Sequence, residues 1–218
     1  MSETATKSST ASPWTLTTPR LVVAGVLVAI TIVLGISGLG FIPLPLVNAT
    51  SEHIPVVLGG VLEGPLVGAV TGLAFGIISW SRALTTVPSN PIAAAYTLAL
   101  RNPLVAILPR VLIGLFSWLI FAGLRRTLVF PWIVRFNLEV SAFLAGLIGS
   151  ATNTIFVLLL AVGLGYVPLI WAPVVIPQAI AEAIVAAILT TAVARAFFVM
   201  RARLTHAPET KPRDQLPY

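Results

Sequence analysis

The chain has no cysteine among its 218 residues and only two histidines, His53 and His206. Disulfides, thiolate nucleophiles and cysteine metal sites are therefore excluded, and a histidine metal centre has almost nothing to be built from. No metal or cofactor is expected. Charge is just as scarce. Charged residues make up 9% of the sequence, against about 25% in soluble domains. H-E-x-x-H, G-x-S-x-G and P-loop patterns are all missing. No acid and base are paired at helical spacing deep in an apolar run, so an enzyme is not the expected reading. The chain carries no nucleotide-binding domain of its own, as an ATP-driven pump would need.

What is abundant is apolar surface. Hydrophobic residues reach 57% and the mean hydropathy is +1.00. A water-soluble fold needs a polar skin, whereas a fold in lipid turns apolar groups outward as well as inward. Spans of about 20 residues divide the chain into six runs: Leu21–Leu39, Ile54–Leu62, Leu66–Trp80, Pro103–Leu124, Leu138–Gly165 and Gln178–Met200. The expected fold is all-α, a polytopic membrane protein of six transmembrane helices. Residues 1–20 and 204–218 read as disordered tails flanking a transmembrane domain over 21–203. The second run is the weakest. Its nine residues rise only about 14 Å, so this helix starts nearer Ser51 or stops short of crossing. Ser81–Asn102 shows no clean membrane pattern, and Gly165–Pro177 reads as a turn.

The net charge of +6 and pI near 10.8 raise nucleic acid as a partner, but the basic residues form no separate domain and no nucleic-acid role is expected. They orient the protein instead. With six spans, Lys7, Arg20, Arg125, Arg126, Arg135, Arg195, Arg201, Arg203, Lys211 and Arg213 share one side, facing Arg82 and Arg101 on the other. The positive-inside rule then puts both termini in the cytoplasm.

Polar residues inside spans are costly and mark function by default. Arg110 follows Pro109 in the fourth run. Asn153 sits between Thr152 and Thr154 in the fifth. Gln178 and Glu182, four apart, share a face of the sixth, and Glu52 and His53 precede the second. Each has a plainer reading. Arg110 snorkels to headgroups; Asn153 ties two helices together; Glu182 pairs with Arg110 or Arg101; His53 is an interface residue. Convergence weighs against these, since all lie in the half of the membrane away from the basic ends. A cavity open to that side accounts for them together. Gly25 and Ala29, and Gly68 and Gly72, form small-residue pairs that admit a close neighbour, either within the chain or in another subunit.

Gly40-Phe-Ile-Pro-Leu-Pro-Leu46, His53-Ile-Pro-Val-Val-Leu-Gly59, Gly64-Pro65, Asn102-Pro103, Pro109-Arg110, Thr152-Asn153-Thr154 and Glu182-Ala183 together resemble the S components of energy-coupling factor vitamin transporters. The resemblance runs from Leu21 to about Met200 and is greatest to the pantothenate group, with the folate and riboflavin groups close behind. It implies a multi-pass cell-membrane protein that binds one vitamin from outside and joins a transmembrane coupling subunit and two ATPases. It implies that Gly25-x-x-x-Ala29 faces that coupling subunit, and that Phe41–His53 forms a lid. Arg110 then offers a fork for a carboxylate, Asn153 and its threonines hydrogen-bond the ligand, and Trp80 and Phe41 cover its apolar parts. His53, Gln178 and Glu182 complete the expected site. A stand-alone secondary transporter is the alternative, although no inverted repeat is evident.

Overall fold

The computed structural model describes residues 14–15, 17–42, 49–127 and 136–205. Seven α-helices carry the fold among them: α1 (Thr18–Ser37), α2 (His53–Glu63), α3 (Pro65–Thr85), α4 (Pro91–Leu100), α5 (Pro103–Thr127), α6 (Asn137–Gly163) and α7 (Ile176–Thr205). A 3-10 turn at Leu169–Val175 leads into α7. Between α1 and α2 a two-residue ladder pairs Phe41 with Thr50 and Ile42 with Ala49, antiparallel.

Local chemistry sets these boundaries. α1, α3 and α4 each carry proline in the first turn, where its missing N–H costs nothing. α1 ends at Gly38 and α2 gives way to α3 through Gly64, both at positive φ (75° and 107°), which glycine adopts without strain.

Five helical segments are long and apolar enough to cross a membrane: α1, α3, α5, α6 and the stretch from Leu169 through α7. Their large side chains are turned outward. Val22, Val26, Ile30 and Val33 on α1, and Ile180, Ile184 and Ile188 on α7, are exposed. Meanwhile Thr31, Thr71, Ser117, Ser141 and Thr190 are fully buried. Apolar outside and polar inside is the arrangement lipid demands, so the chain is an all-helical polytopic membrane protein.

α2 occupies the centre. It packs against α1, α3, α5, α6 and α7, and ten of its eleven residues are buried. At about 16 Å it stops short of a full bilayer crossing, the second of the two outcomes its sequence allowed. Glycine makes its position possible. A Cβ on Gly60 would strike the Gly114 carbonyl, one on Gly68 would lie 2.9 Å from the Gly60 nitrogen, and one on Gly72 would strike the Arg110 carbonyl. The pair Gly68 and Gly72 therefore serves packing inside this chain. Gly25 and Ala29 do not: both are exposed, and a Cβ on Gly25 would meet nothing within 4 Å.

The two ends of the bundle differ in charge. At one end Glu63 is held by Arg20 and Arg201, each at 3.5 Å. Arg125 donates to Asn137 at 3.5 Å, and Arg195 pairs with Glu139 at 3.5 Å. The other end holds Glu52, Arg82, Arg101, Arg110 and Glu182.

The stretch Ser81–Asn102, which lacks a membrane pattern, is helical over most of its length. α3 continues to Thr85, and α4 follows. The signal was present in Asn90-Pro91: the Asn90 side chain accepts from Ala93 N–H at 2.8 Å, an N-cap with proline at the first helical position.

A candidate binding site at the arginine end

A cavity of about 240 Å³ opens among α3, α4, α5, α6 and α7. Four of the expected residues line it: Arg110, Asn153, Gln178 and Glu182. Each comes from a position where the fold forces a polar group inward.

Arg110 is fixed by its neighbour. Pro109 lies inside α5, and its missing N–H leaves the carbonyl four residues back without a helical donor. That carbonyl belongs to Val105, and Arg110 Nη1 donates to it at 3.0 Å. The guanidinium also lies 5.3 Å over the Phe75 ring, a cation–π arrangement. Arg110 is only 6% exposed, which excludes snorkelling to headgroups. Its Nε has no hydrogen-bond partner among the described residues.

Glu182 does not pair with Arg110 or Arg101. Its Oε1 accepts from the backbone N–H of Thr50 at 2.7 Å and from Gln178 Nε2 at 2.8 Å. Arg101 instead donates to the Ala83 carbonyl at 3.0 Å. Glu182 thus ties α7 to the second strand of the small ladder, the segment that leads into α2. Replacing Glu182 with alanine is expected to free that strand and raise the ligand off-rate several-fold with little change in on-rate, measured by stopped-flow ligand displacement. Unchanged dissociation would dismiss the tether.

Asn153 is 6% exposed and its Oδ1 has no hydrogen-bond partner among the described residues. Buried polar atoms are almost always satisfied, and here the open acceptor belongs to a residue that lines the cavity. The remaining walls are largely apolar: Phe75, Leu100, Val157, Leu158 and Val175. Tyr96 and Thr97 of α4, with Arg82 and Thr86 at the end of α3, also line the cavity. Sequence reasoning missed α4 as a wall because Ser81–Asn102 shows no clean membrane pattern and its ten-residue helix is too short to register as a span.

His53 and Trp80 are not among the lining residues. His53 is 1% exposed at the start of α2. Trp80 points its indole N–H at the Arg101 carbonyl, 3.0 Å away, and so braces α3 against the C-terminal end of α4. Glu52 lies behind the cavity, fully buried, against Gly35 and Gly40 and within electrostatic reach of Arg82 and Arg110. Arg82 also donates to the Gly35 carbonyl. In the expected lid, residues 43–48 and the Phe41 side chain lie outside the described residues, as does His206.

A bundle of apolar helices with a small polar-ended cavity at this end fits a membrane subunit that binds a small solute. The family described as "ECF transporter, substrate-specific component" matches residues 19–194, and the chain belongs to it. It is a transport component and not an enzyme. Among curated proteins it is similar to the pantothenic acid transporter PanT of Lactococcus lactis subsp. cremoris, with 28% identity over 165 residues that cover 69% of this chain and 78% of that protein.

Proposed function

We propose that this chain captures pantothenate at the outer face of the cell membrane, for uptake driven by a coupling subunit and two ATPases. One observation carries the ligand class: a buried, pre-positioned arginine fork in the same apolar-walled cavity as the open amide acceptor of Asn153. Pantothenate offers a carboxylate for Arg110, and hydroxyl and amide donors for Asn153, Gln178 and Glu182. Its gem-dimethyl group suits Phe75, Val157 and Leu158. The likeness to PanT supports the same ligand.

Orientation follows from charge. Arg20, Arg125, Arg126, Arg195, Arg201 and Arg203 gather at one end, which the positive-inside rule assigns to the cytoplasm together with both termini. The chain then crosses six times, with the ladder and α2 making the second crossing jointly. The cavity faces outward, and the exposed face with Gly25 and Ala29 is where the coupling subunit docks.

Thermal unfolding of the purified chain against a panel of B vitamins tests the ligand. Binding at about a hundredfold excess over Kd adds about 2.7 kcal/mol, a rise of roughly 5–10 °C for a chain of this size. A shift with pantothenate alone is the expected result. A shift with folate or riboflavin instead would replace the ligand, and uptake into liposomes without ATPase partners would replace the mode of transport.

A further inference from the structure

The second cavity of the protein lies at the opposite end, and nothing in the solute-binding reading uses it. About 300 Å³ in volume, it is bounded by Arg20, Arg125, Arg126 and Arg201, with Glu63 between them. Its inner wall is Val61 and Leu62 of α2, Trp118 and Phe121 of α5, and Phe198 of α7. Four guanidinium groups thus surround a single carboxylate among the described residues. That carboxylate is buried, with its side chain 4% exposed, and already serves two arginines, Arg20 and Arg201. Arg125 and Arg126 are exposed at the rim.

We infer that this cavity holds an anionic phospholipid, its phosphodiester among the arginines and the start of an acyl chain against the aromatic wall. Two features select such an occupant. Arginine forks suit phosphate oxygens bidentately, and basic pockets between helices at the cytoplasmic face suit anionic headgroups. The wall beneath the charges is apolar and aromatic, with Trp118 meeting Trp14 edge-on at a 5.6 Å centroid distance. A free anion has no use for that wall. A lipid does, since its headgroup sits at the depth where tryptophans gather and its chains continue along lipid-facing helices. The site therefore reads charge and amphiphilicity together, and occupancy clamps α1, α2, α5 and α7 at one end.

Native mass spectrometry of the delipidated full chain, with thermal unfolding alongside, tests this against three probes. Phosphatidylglycerol is expected to be retained at least tenfold better than phosphatidylcholine of the same chains, and to raise the melting temperature where inorganic phosphate does not. Equal retention of the two lipids overturns the inference. An equal rise with inorganic phosphate also overturns it, in favour of a free-anion site. The double variant Arg125→Ala/Arg126→Ala is expected to lose the preference for phosphatidylglycerol. Ala122→Trp, which fills the cavity and keeps every charge, is expected to lose it as well. Retention in Ala122→Trp would place the lipid elsewhere on the basic surface and overturn the cavity assignment. Vitamin binding at the far end reports that each variant is folded.

Discussion

Replacing Arg110 with alanine weakens ligand capture by more than about tenfold, a loss of at least 1.4 kcal/mol. Truncating one partner of a buried charge pair costs about 2–5 kcal/mol, because the other charge stays buried without compensation. The geometry puts this site at the strong end of that range. The guanidinium is already oriented by Val105 and Phe75, so little side-chain entropy is lost when a carboxylate arrives. The same substitution removes a cation near the buried Glu52, so part of any loss could come from a disturbed apo protein. Two comparisons separate these effects. Arg110→Lys keeps the charge and loses the fork, and is expected to bind with intermediate affinity. The alcohol analogue of pantothenate lacks the carboxylate, so the wild type should prefer the acid and Arg110→Ala should show no preference. Titration calorimetry with both ligands measures this. A wild type that binds acid and alcohol equally well leaves Arg110 without its clamp function.

Gly114→Val is expected to prevent the bundle from assembling. A Cβ at this position would lie 2.6 Å from the Gly68 Cα, and a backbone cannot rotate out of the way as a side chain can. Overpacking in a core costs about 1–3 kcal/mol and occasionally more; here α2, α3 and α5 meet through glycines at one point, so the cost is about 3 kcal/mol or greater. The damage would spread to the binding site, since Gly72 one turn further along α3 seats the Arg110 backbone. Size-exclusion profiles and melting temperature read the outcome: a monodisperse Gly114→Val protein with native stability would contradict the packing. Gly25→Leu is the control. With open space around it, this substitution should leave melting temperature and vitamin affinity unchanged while lowering uptake with the coupling subunit. Two glycines thus part company: Gly114 is expected to be required for folding and Gly25 for docking.

The pattern of apolar runs was enough to place the long helices. α1, α5 and α6 begin and end within a few residues of their expected positions, because about 20 apolar residues have one stable conformation in lipid. Arg110, Asn153, Gln178 and Glu182 stood out for the same reason: a polar side chain is conspicuous where the solvent is hydrocarbon. α4 was less legible, since its ten residues are too few to register as a span. Its cap at Asn90 was the only signal. The partner of Glu182 was not legible at all, because Thr50 is 132 residues away and contributes a backbone N–H, which any residue type possesses.

The sequence by itself determined that this is a membrane protein of apolar helices, which polar residues are costly to place in it, and which end carries the basic charge. These are properties of single segments in a known solvent, and they need no knowledge of neighbours. Tertiary structure alone decided which small-residue face is buried and which is exposed, that α2 is a short central post, and that Trp80 and His53 stand outside the cavity lining that Tyr96 and Arg82 enter. Those outcomes depend on how helices distant in sequence approach one another, and spacing along one helix fixes which residues share a face but not what that face meets.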